Sequence, residues 1–311
     1  MPRVDRPLPA ALRRGPFTVG AASALGLDSR ALRRAGLRVP TRGVRSAEPG
    51  PAATDLRARC AELVPVLPAD AVFCHVTALA LLGVDLPFGV DSRTGLHVQV
   101  GPGTSWPRRA NLIGHRRSVR DVPVFTLPGE IRVLLPEQAW IQLAGSVPPR
   151  ELVVAADALL RRRAAVCRSD QLAGAVAALP PGTRGIRLLR DALVRTRAGT
   201  DSCMETRLRW VLVEAGLPCP VVNQVVRGPD GAVVAMPDLS YAGQHVAIEY
   251  DGDVHRTDRT TWRRDITRRQ ELEAIGWRVV TCTADDVLHH PDRPVTWVRR
   301  ALAASAVTPP R

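Results

Sequence analysis

The sequence predicts an α+β chain of more than one domain, and three observations carry this. Its 311 residues exceed one ordinary domain. Residues 15–47 read as two short helices followed by a β-branched hairpin around an Arg-Gly turn. From about residue 200 the pattern is helix, three strands, helix, strand, helix, with Gly and Pro stops between them. The expected organisation is a winged helix-turn-helix over 1–50, a middle α/β domain over 51–199 and an αβββαβ domain over 200–311.

Composition narrows the class. Hydrophobic residues make up 45% of the chain and aromatic residues only 4%, so its cores must rest on Leu, Val and Ala. The net charge is +13, and all 43 basic residues are Arg, with no Lys anywhere. A genome rich in Arg codons explains this as well as a polyanionic partner does. The distribution says more. Residues 1–50 hold 10 Arg against 3 acids, residues 51–199 hold 19 against 12, and residues 200–311 hold 14 against 15. The basic excess thus lies outside the C-terminal segment, where phosphates would be held. The local acidity that a divalent cation needs lies within it. The six cysteines form no CxxC pair and read as buried, reduced thiols. The N-terminus lacks a signal-peptide core, and no run approaches the ~20 apolar residues of a membrane span. The expectation is a cytoplasmic protein that engages no membrane.

Taken in order, Ala21–Leu25 reads as a short helix broken by Gly26, and Asp28 or Ser29 can cap a second helix from Ser29 to Ala35. Arg30, Arg33 and Arg34 fall on or beside that second helix, and Arg38, Arg42 and Arg45 on the wing. Those are the elements that meet base edges and phosphates in such folds. A solvated Arg face is the competing reading. Residues 48–54 read as a linker. Next come helical patterns at 55–67 and 75–86, strand patterns at 95–101, 111–117 and 122–128, and helices at 136–147 and 150–163. Arg108, Arg109, Arg116, Arg117 and Arg120 form a basic stretch there. His75 reads as a cap or packing residue.

In the last segment, Asp201 and Ser202 precede a helix with Glu205 in its first turn. Three strands follow, with a Pro-Asp-Gly turn between the first two. Asp238 ends the second strand, and Glu249 and Asp251 end the third, at "HVAIEYDGDVHR". Side chains alternate along a strand, so Glu249 and Asp251 share one face and Ile248 and Tyr250 the other. Strand pairing can set Asp238 beside Glu249, and a helix on that face can add Glu205. Carboxylates gathered in an apolar sheet repel each other and lose solvation. A hard cation relieves both penalties, and Mg²⁺ takes one or two carboxylates plus water and phosphate oxygens. Each acid has a bland reading too: Asp-Gly after a strand is often a plain turn, and a lone His is often a surface residue.

Pro237-Asp238 followed by Glu249, with the helical Glu205 upstream, resembles the PD-(D/E)XK nuclease core. The longer run from Met204 through "PDLSYAGQHVAIEYDG", "WRRDITRR" and "GWRVV" is similar to very-short-patch-repair-like endonuclease domains. The N-terminal unit, with the segment after it, resembles AbiEi-type antitoxin proteins. The resemblance implies a restriction-endonuclease-like fold, with Asp238 and Glu249 as ligands of Mg²⁺ or Mn²⁺. It makes Glu205 the residue that orients a metal-bound water or holds a second ion, and His255 the general acid or base. Arg264 or Arg268 would hold a scissile phosphate, and Asp265 and Arg269 have the i,i+4 spacing of a pair. One departure stands out: Asp251 occupies the position where the motif carries Lys. The expected activity is metal-dependent DNA hydrolysis, with repair or restriction partners. The alternative is a non-catalytic, DNA-binding regulator of antitoxin type, partnered with a toxin.

Overall fold

A computed structural model describes residues 8–34, 36–52, 54–90, 95–105, 108–119, 121–252 and 259–307. The side chains of 34, 259–266 and 306–307 lie outside the described set. The expected positions His255, Asp253 and Arg120, and the side chains of Arg34, Arg264 and Asp265, therefore fall outside it. The protein is a mixed α+β chain with several sheets. It forms two compact units, Met1–Leu143 and Ala144–Arg311.

The first unit begins with β1 (Phe17–Thr18), α1 (Val19–Ala24), α2 (Ser29–Arg34) and β2 (Val44–Arg45). Asp28 starts α2 by accepting from the Ala31 N–H at 2.6 Å. β1 pairs antiparallel with β2, and a bridge between Arg38 and Ser46 extends the ribbon. Leu12, Phe17, Ala22, Leu27 and Leu32 form the small core beneath. Then come α3 (Leu56–Ala61), β3 (Val72–Phe73), α4 (His75–Leu81), β4 (Leu96–Val100), β5 (Leu112–Arg116), β6 (Val124–Leu127), β7 (Ile131–Leu134) and α5 (Pro136–Ile141). The five strands make one mixed sheet in the order β5-β4-β3-β7-β6. The strand patterns at 95–101, 111–117 and 122–128 become β4, β5 and β6. The central β3 is only two residues long, too short to show a period.

The second unit opens with α6 (Pro149–Leu159), α7 (Ser169–Ala177) and α8 (Ile186–Arg195), which precede α9 (Cys203–Glu214). The sequence reading grouped these three helices with the middle domain. They instead belong to the compact unit of α9, and buried ion pairs give the reason. Arg207 of α9 donates to Glu151 of α6 through Nε and Nη2, at 3.1 and 2.6 Å. Arg209 donates to Asp157 at 2.7 Å, and the Thr206 hydroxyl donates to the same oxygen at 2.9 Å. All five residues are at most 3% exposed. Charges so deep are tolerated only when paired and hydrogen-bonded.

The chain continues through β8 (Val221–Val222), β9 (Val226–Arg227), β10 (Val233–Ala235), β11 (Leu239–Tyr241), β12 (Val246–Asp251), α10 (Arg259–Ala274), β13 (Arg278–Thr283), α11 (Ala284–Leu288) and α12 (Asp292–Val307). Two of the three expected strands are each split. β9 and β10 pair across the Pro-Asp-Gly turn as a separate ribbon, while β8 and β11 join the main sheet. That sheet runs β13-β12-β11-β8, with β12 antiparallel to β11 and parallel to β13. The parallel pair requires a crossover, and α10 supplies it.

The two faces of β12 have different cores. Val246 and Ile248 pack with Leu208, Leu212, Val287 and Val298 from α9, α11 and α12. Ala247 packs on the opposite side with Leu272, Trp277 and the β9–β10 ribbon. Glu249 and Asp251 follow Ala247 on that second face by strand alternation.

Candidate functional site

Asp238 and Glu249 meet through the register of β11 and β12. Leu239 lies opposite Ile248, so the next step outward sets Asp238 opposite Glu249. The backbone N–H of Tyr250 donates to Asp238 Oδ2 at 2.7 Å, which fixes that carboxyl against the strand. Burial pushes the Asp238 carboxyl up to about 7, and the charges of Glu205 and Glu249 push the same way. The Tyr250 hydrogen bond and the Arg268 guanidinium oppose the rise.

Glu205 comes from the first turn of α9 and is 4% exposed. Ser202 caps the helix by accepting from the Glu205 N–H at 3.2 Å, and Glu205 Oε2 accepts from the Asp201 N–H at 2.9 Å. The two bonds are reciprocal in the manner of a capping box, offset by one residue. Burial raises the Glu205 carboxyl, and the hydrogen bonds from Asp201, Ser202 and Asn223 hold it down. Asp201 itself pairs with Arg162.

Glu249 pairs with Arg268 of α10 at 3.0 Å. This cation reaches the acids from α10, whereas the motif carries its Lys on the strand. Asp251 ends β12 opposite Thr283 of β13 and takes no part in that pair. Arg269 pairs with Glu273 at 3.0 Å, an i,i+4 contact on the surface of α10.

The acids fit a hard cation in part. Asp238 and Glu249 converge, and the Asp238 carboxyl is raised first by burial and then by the charges of Glu205 and Glu249. Two carboxylates with water would suit Mg²⁺. Among the described residues, however, no group of three or more His, Cys, Asp or Glu side chains is arranged to enclose a metal ion.

Sequence reasoning missed Asn223, which follows β8. Its side-chain amide donates to Glu205 Oε2 at 3.1 Å and to the Gly199 carbonyl at 2.9 Å. Its backbone N–H donates to the Asp238 carbonyl at 3.0 Å. A lone polar residue after a short strand carries no periodic signal that could have found it.

In the first unit, Arg30 and Arg33 are exposed on α2, and Arg42 is exposed in the loop before β2. Arg45 lies on β2 and donates to the Val44 carbonyl at 2.9 Å. Arg109 donates to the Arg42 carbonyl at 2.7 Å, holding that loop against the start of β5. A cleft of about 510 Å³ lies here, lined among others by Arg42, Arg59, Arg108, Arg109 and Glu62. Glu62 is already paired with Arg38.

His75 does start a helix, but it also belongs to an unforeseen cluster. It stacks on His97 and His115, with centroids 4.4 and 5.4 Å away. His97 Nδ1 lies 2.8 Å from His115 Nε2, so one of the two nitrogens carries the proton. Burial and the neighbouring imidazoles push His75 down to about 3 and His97 down to about 4. Burial lowers His115 as well. All six cysteines are free thiols. No helix among the described residues is long and apolar enough to cross a membrane.

Comparison with known proteins adds distant relatives. No family model matches the chain. It is 27% identical over 248 residues to the uncharacterized protein Rv2248 of Mycobacterium tuberculosis strain H37Rv, covering 80% of this chain and 87% of the relative. The uncharacterized protein MT2308 of M. tuberculosis strain CDC 1551 aligns with the same figures of 27%, 80% and 87%. The crystal structure of the Rv2827c protein from M. tuberculosis superposes with a TM-score of 0.39 at 17% identity, over 70% of this chain and 85% of that one.

Proposed function

We propose that the chain is a Mg²⁺-dependent DNA endonuclease with a DNA-binding N-terminal unit. The observation that carries this reading is the register of β11 and β12, whose next step sets Asp238 against Glu249, with the Asp238 carboxyl pushed up to about 7. Partly buried acids held together against their repulsion are functional-site candidates. Asp238 and Glu249 are the residues that would hold the cation, and Glu205 stands close enough for Asp238 to feel its charge. When bound, Mg²⁺ or Mn²⁺ lowers the pKa of a coordinated water and polarises the phosphate. Arg268, partly exposed beside Glu249, offers a guanidinium to a phosphate oxygen. His255 and Arg264 keep the roles that the sequence suggests for them, as proton carrier and phosphate ligand.

The test is cleavage of supercoiled plasmid and short duplexes by purified protein in Mg²⁺ or Mn²⁺. Wild type should cut, and Asp238→Ala and Glu249→Ala should each lose at least a hundredfold. Equal cutting by wild type and both variants, or none by wild type, overturns the reading.

A second reading has its own support. Arg268 already neutralises Glu249, and Asp251 stands in the Lys position of the motif. Both suit a DNA-binding regulator of antitoxin type that kept the fold without the chemistry. Such a protein binds its own promoter with undiminished affinity after Asp238→Ala. It loses that binding after Arg33→Ala with Arg34→Ala. A gel shift separates these outcomes.

A further inference from the structure

The cleft beside the loop at 40–42 gathers positive charge in the first unit. Three segments form most of its wall: that loop, α3, and residues 108–111 leading into β5. The turn at 109–112 is held firmly. Asn111 has a left-handed backbone, with φ of +68°, which Asn tolerates better than most residues. The Leu112 N–H donates to the Arg109 carbonyl at 3.3 Å, and the Leu96 N–H donates to the Asn111 carbonyl at 2.8 Å. Arg109 then joins this turn to the loop. Its Nη1 donates to the Thr41 hydroxyl at 3.2 Å and to the Arg42 carbonyl at 2.7 Å.

Four guanidinium groups line the cleft, from Arg42, Arg59, Arg108 and Arg109. Among the described lining residues Glu62 is the one acid, and Arg38 already pairs with it. Arginine does not shed its proton, so crowded guanidinium groups are relieved only by counter-charge. A cleft lined by one sign of charge also concentrates ions of the other sign. Arg109 is incompletely used, since its Nε is buried and donates to nothing. A small rotation of its guanidinium onto an anion in the cleft would give Nε the acceptor it lacks. The rest of the lining is partly apolar, with Pro40, Leu63 and Leu96. The volume of about 510 Å³ falls in the range of small-molecule sites. A strand phosphate alone needs no such space. A mononucleotide uses all of it, with its phosphate on the guanidinium groups and its base on the apolar side.

We propose that this cleft binds a phosphate monoester of mononucleotide size. Arg108 and Arg109 hold the phosphate, and Pro40, Leu63 and Leu96 meet the base. The site belongs to the first unit, so its test does not depend on the acids of the second.

Calorimetry of the full chain tests this with the four deoxynucleoside 5′-monophosphates, the matching nucleosides, inorganic phosphate and a short duplex with unphosphorylated ends. At least one monophosphate should bind about tenfold more tightly than both its nucleoside and inorganic phosphate. Arg108→Ala should weaken that binding about tenfold. Arg108 is exposed, so this substitution disturbs no buried contact. Arg109→Gln should weaken it further, and thermal unfolding shows whether the fold survives the loss of the Arg42 contact. Arg108→Ala decides the matter in either case. Inorganic phosphate that binds as tightly as every monophosphate would reduce the cleft to an anion site without a base pocket. Binding of the duplex alone, lost on the same substitutions, would make the cleft part of a DNA surface. Either result overturns the proposal, as does monophosphate binding that Arg108→Ala leaves unchanged.

Discussion

Asp238 makes stability depend on pH in an uncommon direction for a carboxylic acid. In the folded chain it keeps its proton up to about pH 7, against 3.8 for an ordinary Asp. Between those values the unfolded chain binds fewer protons than the folded one. Stability therefore falls as pH rises through that window, and the penalty is complete above it. Asp238→Asn should remove the penalty, since an amide oxygen can still accept from the Tyr250 N–H. We expect it to stabilise the protein at pH 8 by about 1–3 kcal/mol and by much less at pH 5. Urea titrations at the two pH values check this, and a variant equally or less stable than wild type at pH 8 refutes it. Mn²⁺ should reduce the same penalty in wild type only. Glu249 and Asp251 were legible as a same-face pair because strand alternation is local. Asp238 beside Glu249 was legible through the order of the strands. Arg268 was legible only as a charge on a helix, since nothing in its spacing says which carboxylate it meets. Asn223 was not legible, because its three bonds go to residues 15 to 24 positions away.

At the scale of elements, α6 and α9 are joined by charge as well as by apolar packing. Glu151→Ala would strand the Arg207 guanidinium in a dry interface and should cost about 3–5 kcal/mol. Thermal unfolding measures it, and a loss below about 1 kcal/mol would show that water reaches the pair. A second expectation concerns the boundary. A chain cut to 200–311 would bare Arg207 and Arg209 without Glu151 and Asp157, and it should aggregate or remain unfolded. A chain of 144–311 should fold, which circular dichroism and heteronuclear spectra would show. The sequence puts the boundary at 199, where a basic amphipathic helix ends in a turn that leads into the last segment. Buried salt bridges across 52 to 56 residues leave no periodic trace. The short helices of the N-terminal unit were readable from Gly stops and the Asp28 cap. The five-stranded sheet was readable only in its longer strands.

The whole molecule is basic, but unevenly so. Residues 1–143 hold 19 Arg against 11 acids, and residues 144–311 hold 24 against 19. If the first unit meets phosphates, affinity for a duplex should fall steeply with salt. For six or more phosphate contacts the drop is about 10³-fold or more between 50 and 200 mM. Fluorescence anisotropy of the full chain measures this, and a flat salt response would leave the charge as mere solvation. Arg42→Ala should weaken binding at every salt concentration and lower the slope by about one contact.

The parallel pairing of β12 with β13 also has a bearing on biosynthesis. The hairpin that brings Asp238 to Glu249 is complete once residue 251 has left the ribosome. Arg268 and the whole of β13 emerge only afterwards. During that interval β12 is a bare sheet edge carrying two acids without their guanidinium neighbour. Like charges on two such edges would oppose the pairing of one nascent chain with another.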